Sequence, residues 1–192
     1  MNSLDLIFTG VGSRVISSYE ERVLIDISEK LAHAGFTLRS GKADGADAAF
    51  QLGYQSYQQS TGILPSAEIY IPWANFNNKN KRLDPTWDIV FGENQRAKEF
   101  VKQIHPAYDK LSAPASLLHQ RNCAQVLGND LDKPSLFVLY CADENWLNGE
   151  VSGGTRTAVE LARRLNIRTF NLRNLRGASG LISFLATHGI VI

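Results

Sequence analysis

Asp5-Leu-Ile-Phe-Thr-Gly-Val-Gly-Ser-Arg14 is a short run of β-forming residues that stops at a pair of glycines. A run of this length closed by glycine reads as a buried strand entering a tight turn. Beyond Arg14 the period changes. Ser17 and Ser18 stand three residues ahead of Glu20 and Glu21, the spacing of a capping box. Val23, Leu24, Ile27 and Leu31 then recur on one helical face as far as Gly35. The order of strand, glycine turn and helix returns twice. Phe36-Thr-Leu-Arg39 runs into Ser40-Gly-Lys-Ala-Asp-Gly-Ala-Asp47 and a helical stretch from Ala46 to about Gln59. Ser135-Leu-Phe-Val-Leu-Tyr140 leads across a polar loop to Ser152-Gly-Gly-Thr-Arg-Thr157 and a helix from about Arg156 to Leu165.

Two further strands, Glu68-Ile-Tyr-Ile71 and Ile167-Arg-Thr-Phe-Asn-Leu172, complete the alternation, and the chain ends in a short helix and an extended piece from Gly177 onward. Strands alternating with helices predict an α/β fold: a Rossmann-like parallel sheet with helices on both faces. Between the third and fourth strands the pattern loosens. Residues from about 73 to 134 read as a helical and loop insertion, with helical periodicity over Asn94 to Ile104 and Ala115 to Leu127. The 192 residues then form a single domain, in line with a prior of roughly 100–200 residues per domain.

Composition narrows the function. Apolar residues at 44% and charged ones at 20% are ordinary for a globular protein and exclude collagen, coiled coil and wholesale disorder. Twenty Lys and Arg against nineteen Asp and Glu leave a net charge of +1. That balance argues against a broad electrostatic surface for nucleic acid, which is therefore not an expected partner, although a local basic groove stays open. Cys123 and Cys141 match no metal or redox spacing and read as buried thiols, and no metal site is expected. No secretory start and no long apolar run is present, so no membrane partner and a cytoplasmic location are expected.

In a parallel sheet all three glycine turns fall at the carboxyl ends of strands, where open α/β sheets bind ligands. Glycine lets the backbone approach an anion, and the N–H groups of a helix start stabilise it. The expected ligand-binding residues are Thr9, Gly10, Gly12, Ser13 and Arg14 in the first turn. The second turn supplies Ser40, Gly41, Lys42, Asp44 and Asp47, and the third Gly153, Gly154, Thr155 and Thr157. Trp73, Phe76 and Asn77 come after the third strand at the same edge, where aromatic faces could stack on a base and Asn77 read its rim. Each has a structural alternative: Asp44 and Asp47 as helix caps, Trp73 as packing under the insertion. The run Asn78-Lys-Asn-Lys-Arg82 reads as a guard for a negative ligand or a solvated loop, while Tyr140 and Trp146 flank the loop before Gly153. Neither G-x-G-x-x-G nor G-x-x-x-x-G-K-[ST] occurs, which disfavours a conventional NAD dehydrogenase and a P-loop ATPase, and no cofactor is expected.

At these turns the sequence resembles the SLOG superfamily of nucleotide-handling Rossmann-like proteins. Ser40-Gly-Lys-Ala-Asp-Gly-Ala-Asp47 is similar to the S-G-x-A-x-G-x-D signature of the DNA-processing protein A (Smf) family. Gly153-Gly-Thr-Arg-Thr-Ala-Val-Glu160 is similar to the G-G-x-G-T-x-x-E of the lonely-guy phosphoribohydrolases, with Arg156 standing where that motif has glycine. His119-Gln-Arg-Asn122 resembles their H-E-R-K segment, with Asn122 in place of the lysine. Over nearly the whole chain the series of motifs resembles phage-encoded relatives of DNA-processing protein A. The resemblance implies a ligand of the ADP-ribose or cyclic ADP-ribose type. It would be held without turnover as an anti-defence protein sequestering an NAD-derived immune signal in the host cytoplasm, with a homo-oligomer, dimer or higher, as the expected assembly. Two alternatives stand beside it. One is a nucleoside 5′-monophosphate N-glycosidase with Arg121 and Glu160 as catalytic residues. The other is a single-stranded DNA-binding recombination mediator.

Overall fold

The computed structural model describes residues 5–77 and 83–192. Strands β1 (Ile7–Gly12), β2 (Thr37–Ser40), β3 (Ala67–Ile71), β4 (Asp88–Val90), β5 (Phe137–Cys141) and β6 (Arg168–Asn171) form one sheet. Its order is β4-β3-β2-β1-β5-β6, and every pairing is parallel. Helices α1 (Ser18–His33), α2 (Ala46–Thr61), α3 (Gln95–Ile104), α4 (Ala113–Leu127), α5 (Thr155–Arg164) and α6 (Leu175–Thr187) cover both faces. This is the Rossmann-like α/β architecture that the alternating pattern predicts.

The interior strand β5 shows why both faces are covered. Phe137, Leu139 and Cys141 point into an aromatic-rich core with Phe8, Phe36, Phe50 and Tyr54, against α1, α2 and α6. Val138, Tyr140 and Ala142 point into the opposite core with Val101, Ala124, Ala158 and Leu161, against α3, α4 and α5. The period of two along a strand divides one short segment between two cores.

Local signals set the helix starts. Ser17 Oγ accepts the Glu20 N–H at 3.2 Å and Glu20 accepts the Ser17 N–H at 2.6 Å, the full capping box. Asn94 caps α3, Ser112 caps α4 with Pro114 in its first turn, and Asn174 caps α6. The insertion differs from expectation in one respect, because it adds β4 to the edge of the sheet. Three residues are too few to show a period. β4 is fixed by long-range contacts instead: the Trp87 indole is buried and donates to the Pro65 carbonyl at 3.3 Å, and Asp88 pairs with Lys42.

The chain moves outward from β1 through β2, β3 and β4, then crosses back to β5 and β6 on the other side. The connections leaving β1 and β5 therefore part in opposite directions. An opening at their carboxyl ends is a consequence of topology alone.

Candidate functional site

At that switch point lies a crevice of about 430 Å³. Gly12, Ser13 and Arg14 reach it from the first turn, Ala43 and Asp47 from the second, and residues 152–155 from the third. Helix α4 forms the remaining wall through Leu118, His119, Arg121, Asn122 and Gln125.

The three turns do different work. Gly45 has φ +76°, and a Cβ there would run into the backbone of Ser13 and Arg14. That close approach lets Ala46 N–H donate to the Ser13 carbonyl at 3.0 Å, so the first turn plugs the start of α2. The start of α5 is left open. Gly154 provides no side-chain cap, and among the described residues nothing accepts the N–H of Gly153, Gly154 or Thr155. Asn122 Nδ2 holds this turn against α4 by donating to the Gly154 carbonyl at 2.8 Å. Unpaired N–H groups at a helix start, with the positive end of its dipole, favour an anion.

Arg121 is the second feature. It is 4% exposed, its Nη1 lies 3.5 Å from Asp47 Oδ2, and its guanidinium sits over the Phe76 ring at 5.6 Å. With the Gln125 amide turned to suit its neighbours, its oxygen accepts from Arg121 Nη1 and Gly41 N–H, each at 2.9 Å. Arg121 Nε has no partner among the described residues. Burial pushes the Asp47 carboxyl up and the Arg121 guanidinium down, while the charge of each opposes the shift of the other. Gly41 is required by this packing, because a Cβ there would fall on the guanidinium. Beside it, His119 Nδ1 is 2.7 Å from Thr157 Oγ1, and its ring lies 4.7 Å from that of His105. Burial, then His105 and Arg121, hold His119 down at about 4, so the imidazole is neutral at neutral pH.

The structure separates the expected site residues into two groups. Gly12, Ser13, Arg14, Asp47, Arg121, Gly153, Gly154 and Thr155 converge on the crevice. Thr9 is buried, bonding the Gln125 carbonyl at 2.6 Å and the Ser135 hydroxyl at 2.8 Å. Gly10 packs on Phe50, and Ser40 donates to the Gly10 carbonyl at 2.7 Å. Lys42 pairs with Asp88, and Asn77 bonds the Lys42 carbonyl at 2.9 Å and Asp44 at 3.0 Å. Gly41 and Thr157 back the crevice through Arg121 and His119. The expected aromatic platform is also placed elsewhere: Phe76 is buried beneath Arg121, and Trp73 packs edge-on against it at 5.4 Å. Glu160 pairs with Arg163 at 3.2 Å and does not line the crevice, so Arg121 and Glu160 do not meet there. The run 78–82 lies outside the described residues.

His119, Asn122 and Gln125 line the crevice without being expected there as ligand contacts, although a signal for them exists. Gln120, Arg121, Asn122 and Gln125 are all buried in one helix. Polar side chains so rarely sit inside unpaired that a cluster of them marks a network or a site. Among the described residues no group of three or more His, Cys, Asp or Glu could hold a metal ion. No described helix is long and apolar enough to cross a membrane.

A six-stranded parallel sheet with its crevice at the strand-order reversal places the chain in the Rossmann-like α/β class. No protein-family model matches the sequence, and no curated protein matches it. Among solved structures, DNA processing protein A from Helicobacter pylori, described for its single-stranded DNA binding mode, is similar in fold. The match covers 96% of this chain and 73% of that one, with a TM-score of 0.56 and 18% identity. That neighbour is of the group whose signature the second glycine turn resembles. This finding corrects two expectations, that the ligand is a small NAD-derived molecule and that nucleic acid is not a partner. The reason is physical. Net charge sums the whole surface, whereas oriented N–H groups and two arginines lining one crevice favour an anion locally whatever that sum is.

Proposed function

We propose that this chain binds single-stranded DNA, with a backbone phosphate seated in the crevice between β1 and β5. The open start of α5 carries the proposal. Of the six described α-helices, four have a side-chain cap. Of the two without one, α2 is closed by the Ser13 carbonyl and α5 faces the cavity. The exposed Arg14 forms no ion pair among the described residues, and Arg121 retains an unpaired Nε. Both put positive charge at the seat, with Arg14 free to donate to a phosphate oxygen, and the likeness in fold to a single-stranded DNA-binding protein supports the polymer as ligand.

Fluorescence anisotropy with labelled oligo-dT, repeated over a salt series, tests this reading. Binding should favour single strands over duplex, and log affinity should fall against log salt by roughly 0.7 for each phosphate neutralised. Arg14→Ala should weaken binding roughly 10-fold and flatten the slope by about one phosphate. Failure of the wild type to bind at low salt, or equal binding of duplex, rejects it.

A further inference from the structure

Beyond β5 the chain doubles back in a braced loop, residues 142–152, whose tip presents Trp146 at 87% exposure and Leu147 at 73%. Glu144 and Val151 form an antiparallel bridge. The Asn145 N–H donates to the Glu150 carbonyl at 2.9 Å, and Arg163 Nη1 donates to the Gly149 carbonyl at 2.6 Å. The indole is thus held out in water by an ordered loop. A flat amphipathic ring in that setting offers a face to another ring.

Its flank opens on a groove of about 720 Å³ that holds Arg163, Arg173 and Arg176 against Asp143 and Glu144. Arg163 pairs with Glu144 at 2.8 Å and Arg173 with Asp143 at 2.7 Å, which consumes both carboxylates. Arg176 is exposed and has no ion pair among the described residues. The groove shares Ala142 and Asp143 with the phosphate crevice, so the two form one track along the carboxyl edge of the sheet.

We infer that Trp146 is a base-stacking subsite: an unpaired base of the strand leaving the crevice lies on the indole, and its phosphate meets Arg176. This rests on the single-stranded DNA reading of the crevice. Stacking on an aromatic side chain suits any base, and a spare arginine beside it suits the backbone that carries the base.

The test compares wild type, Trp146→Ala, Trp146→Phe and Arg14→Ala in anisotropy titrations with oligo-dT and with an abasic oligonucleotide of equal length. Trp146→Ala should lose affinity for oligo-dT by roughly 5- to 150-fold, and Trp146→Phe should keep most of it. On the abasic strand, wild type and Trp146→Ala should bind alike. If Trp146→Ala binds oligo-dT as wild type does while Arg14→Ala is weakened, the subsite is wrong and the DNA reading survives. If wild type binds neither strand, both are overturned.

Discussion

His119 is held neutral by its place in the crevice wall, and lowering the pH should expose that cost. Its ring titrates at about 4 in the fold against an ordinary 6.5, because burial, His105 and Arg121 all disfavour a second positive charge. Between those values the unfolded chain binds more protons than the native one, so stability from this group rises with pH. It is complete above about 6.5 and is lost progressively as the pH falls toward 4. The displacement corresponds to about 3 kcal/mol at full weight. The ring is only partly covered, and water from the crevice reduces that to about 1–2 kcal/mol. A fall from about pH 7 to about pH 5 should therefore remove about 1 kcal/mol of stability through His119 alone. His119→Gln keeps a partner for Thr157 and cannot titrate. Urea unfolding of both proteins, followed by tryptophan fluorescence at the two pH values, isolates the residue from all other titrating groups. The variant should lose less stability than wild type by that amount. Parallel losses would refute the reasoning, because the imidazole would then feel neither burial nor the neighbouring charges.

Two other substitutions separate binding from scaffolding. Gly41→Ala puts a methyl group where the Arg121 guanidinium lies, so it should cost about 1–3 kcal/mol in urea melts. Oligo-dT affinity should also drop by roughly 10-fold as Arg121 leaves its seat; a fully active variant would show that Arg121 is not part of the grip. Thr9→Val strips a donor from the buried Gln125 carbonyl and should cost about 1–3 kcal/mol by the same melts. Its oligo-dT affinity should be unchanged.

The strand and helix alternation is legible in the sequence because each element carries its own signal. The Ser17–Glu20 box, the Asn94 start of α3 and the continuous apolar run of β5 are local facts of sequence. β4 is not legible, since three residues show no period and its place depends on Trp87 and Asp88 meeting distant partners. The site is legible in position and overcounted in membership. Every polar residue near a glycine turn looks able to face a ligand, yet Ser40 and Thr9 turn inward to hold strands and α4 together. Which way a side chain turns at a strand end is decided by what packs against it, and α4 comes from the insertion whose docking no local pattern announces. Hence a motif gives Arg121 a role, while the role of Gln125, one turn further along the same helix face, becomes visible only once its amide is seen between Arg121 and Gly41.

On the proposed reading, charge balance misleads for a related reason. A counterion-release mechanism scales with the number of phosphates neutralised, and a chain of net charge +1 has little to offer a long tract of backbone. A crevice that aims unpaired N–H groups, one free arginine and one half-bonded arginine at a single position works by preorganisation. Arg121 is already ordered by Asp47 and Gln125, and the α5 turn by Asn122, so on the proposed reading little beyond Arg14 has to be fixed when a phosphate arrives. The electrostatic share of affinity is then small and the geometric share large. Salt dependence should accordingly be shallow, covering only a few phosphates, while sensitivity to removing a base should be steep. A broad basic groove would give the reverse pairing, so the two slopes measured on one protein distinguish a point grip from a charged surface.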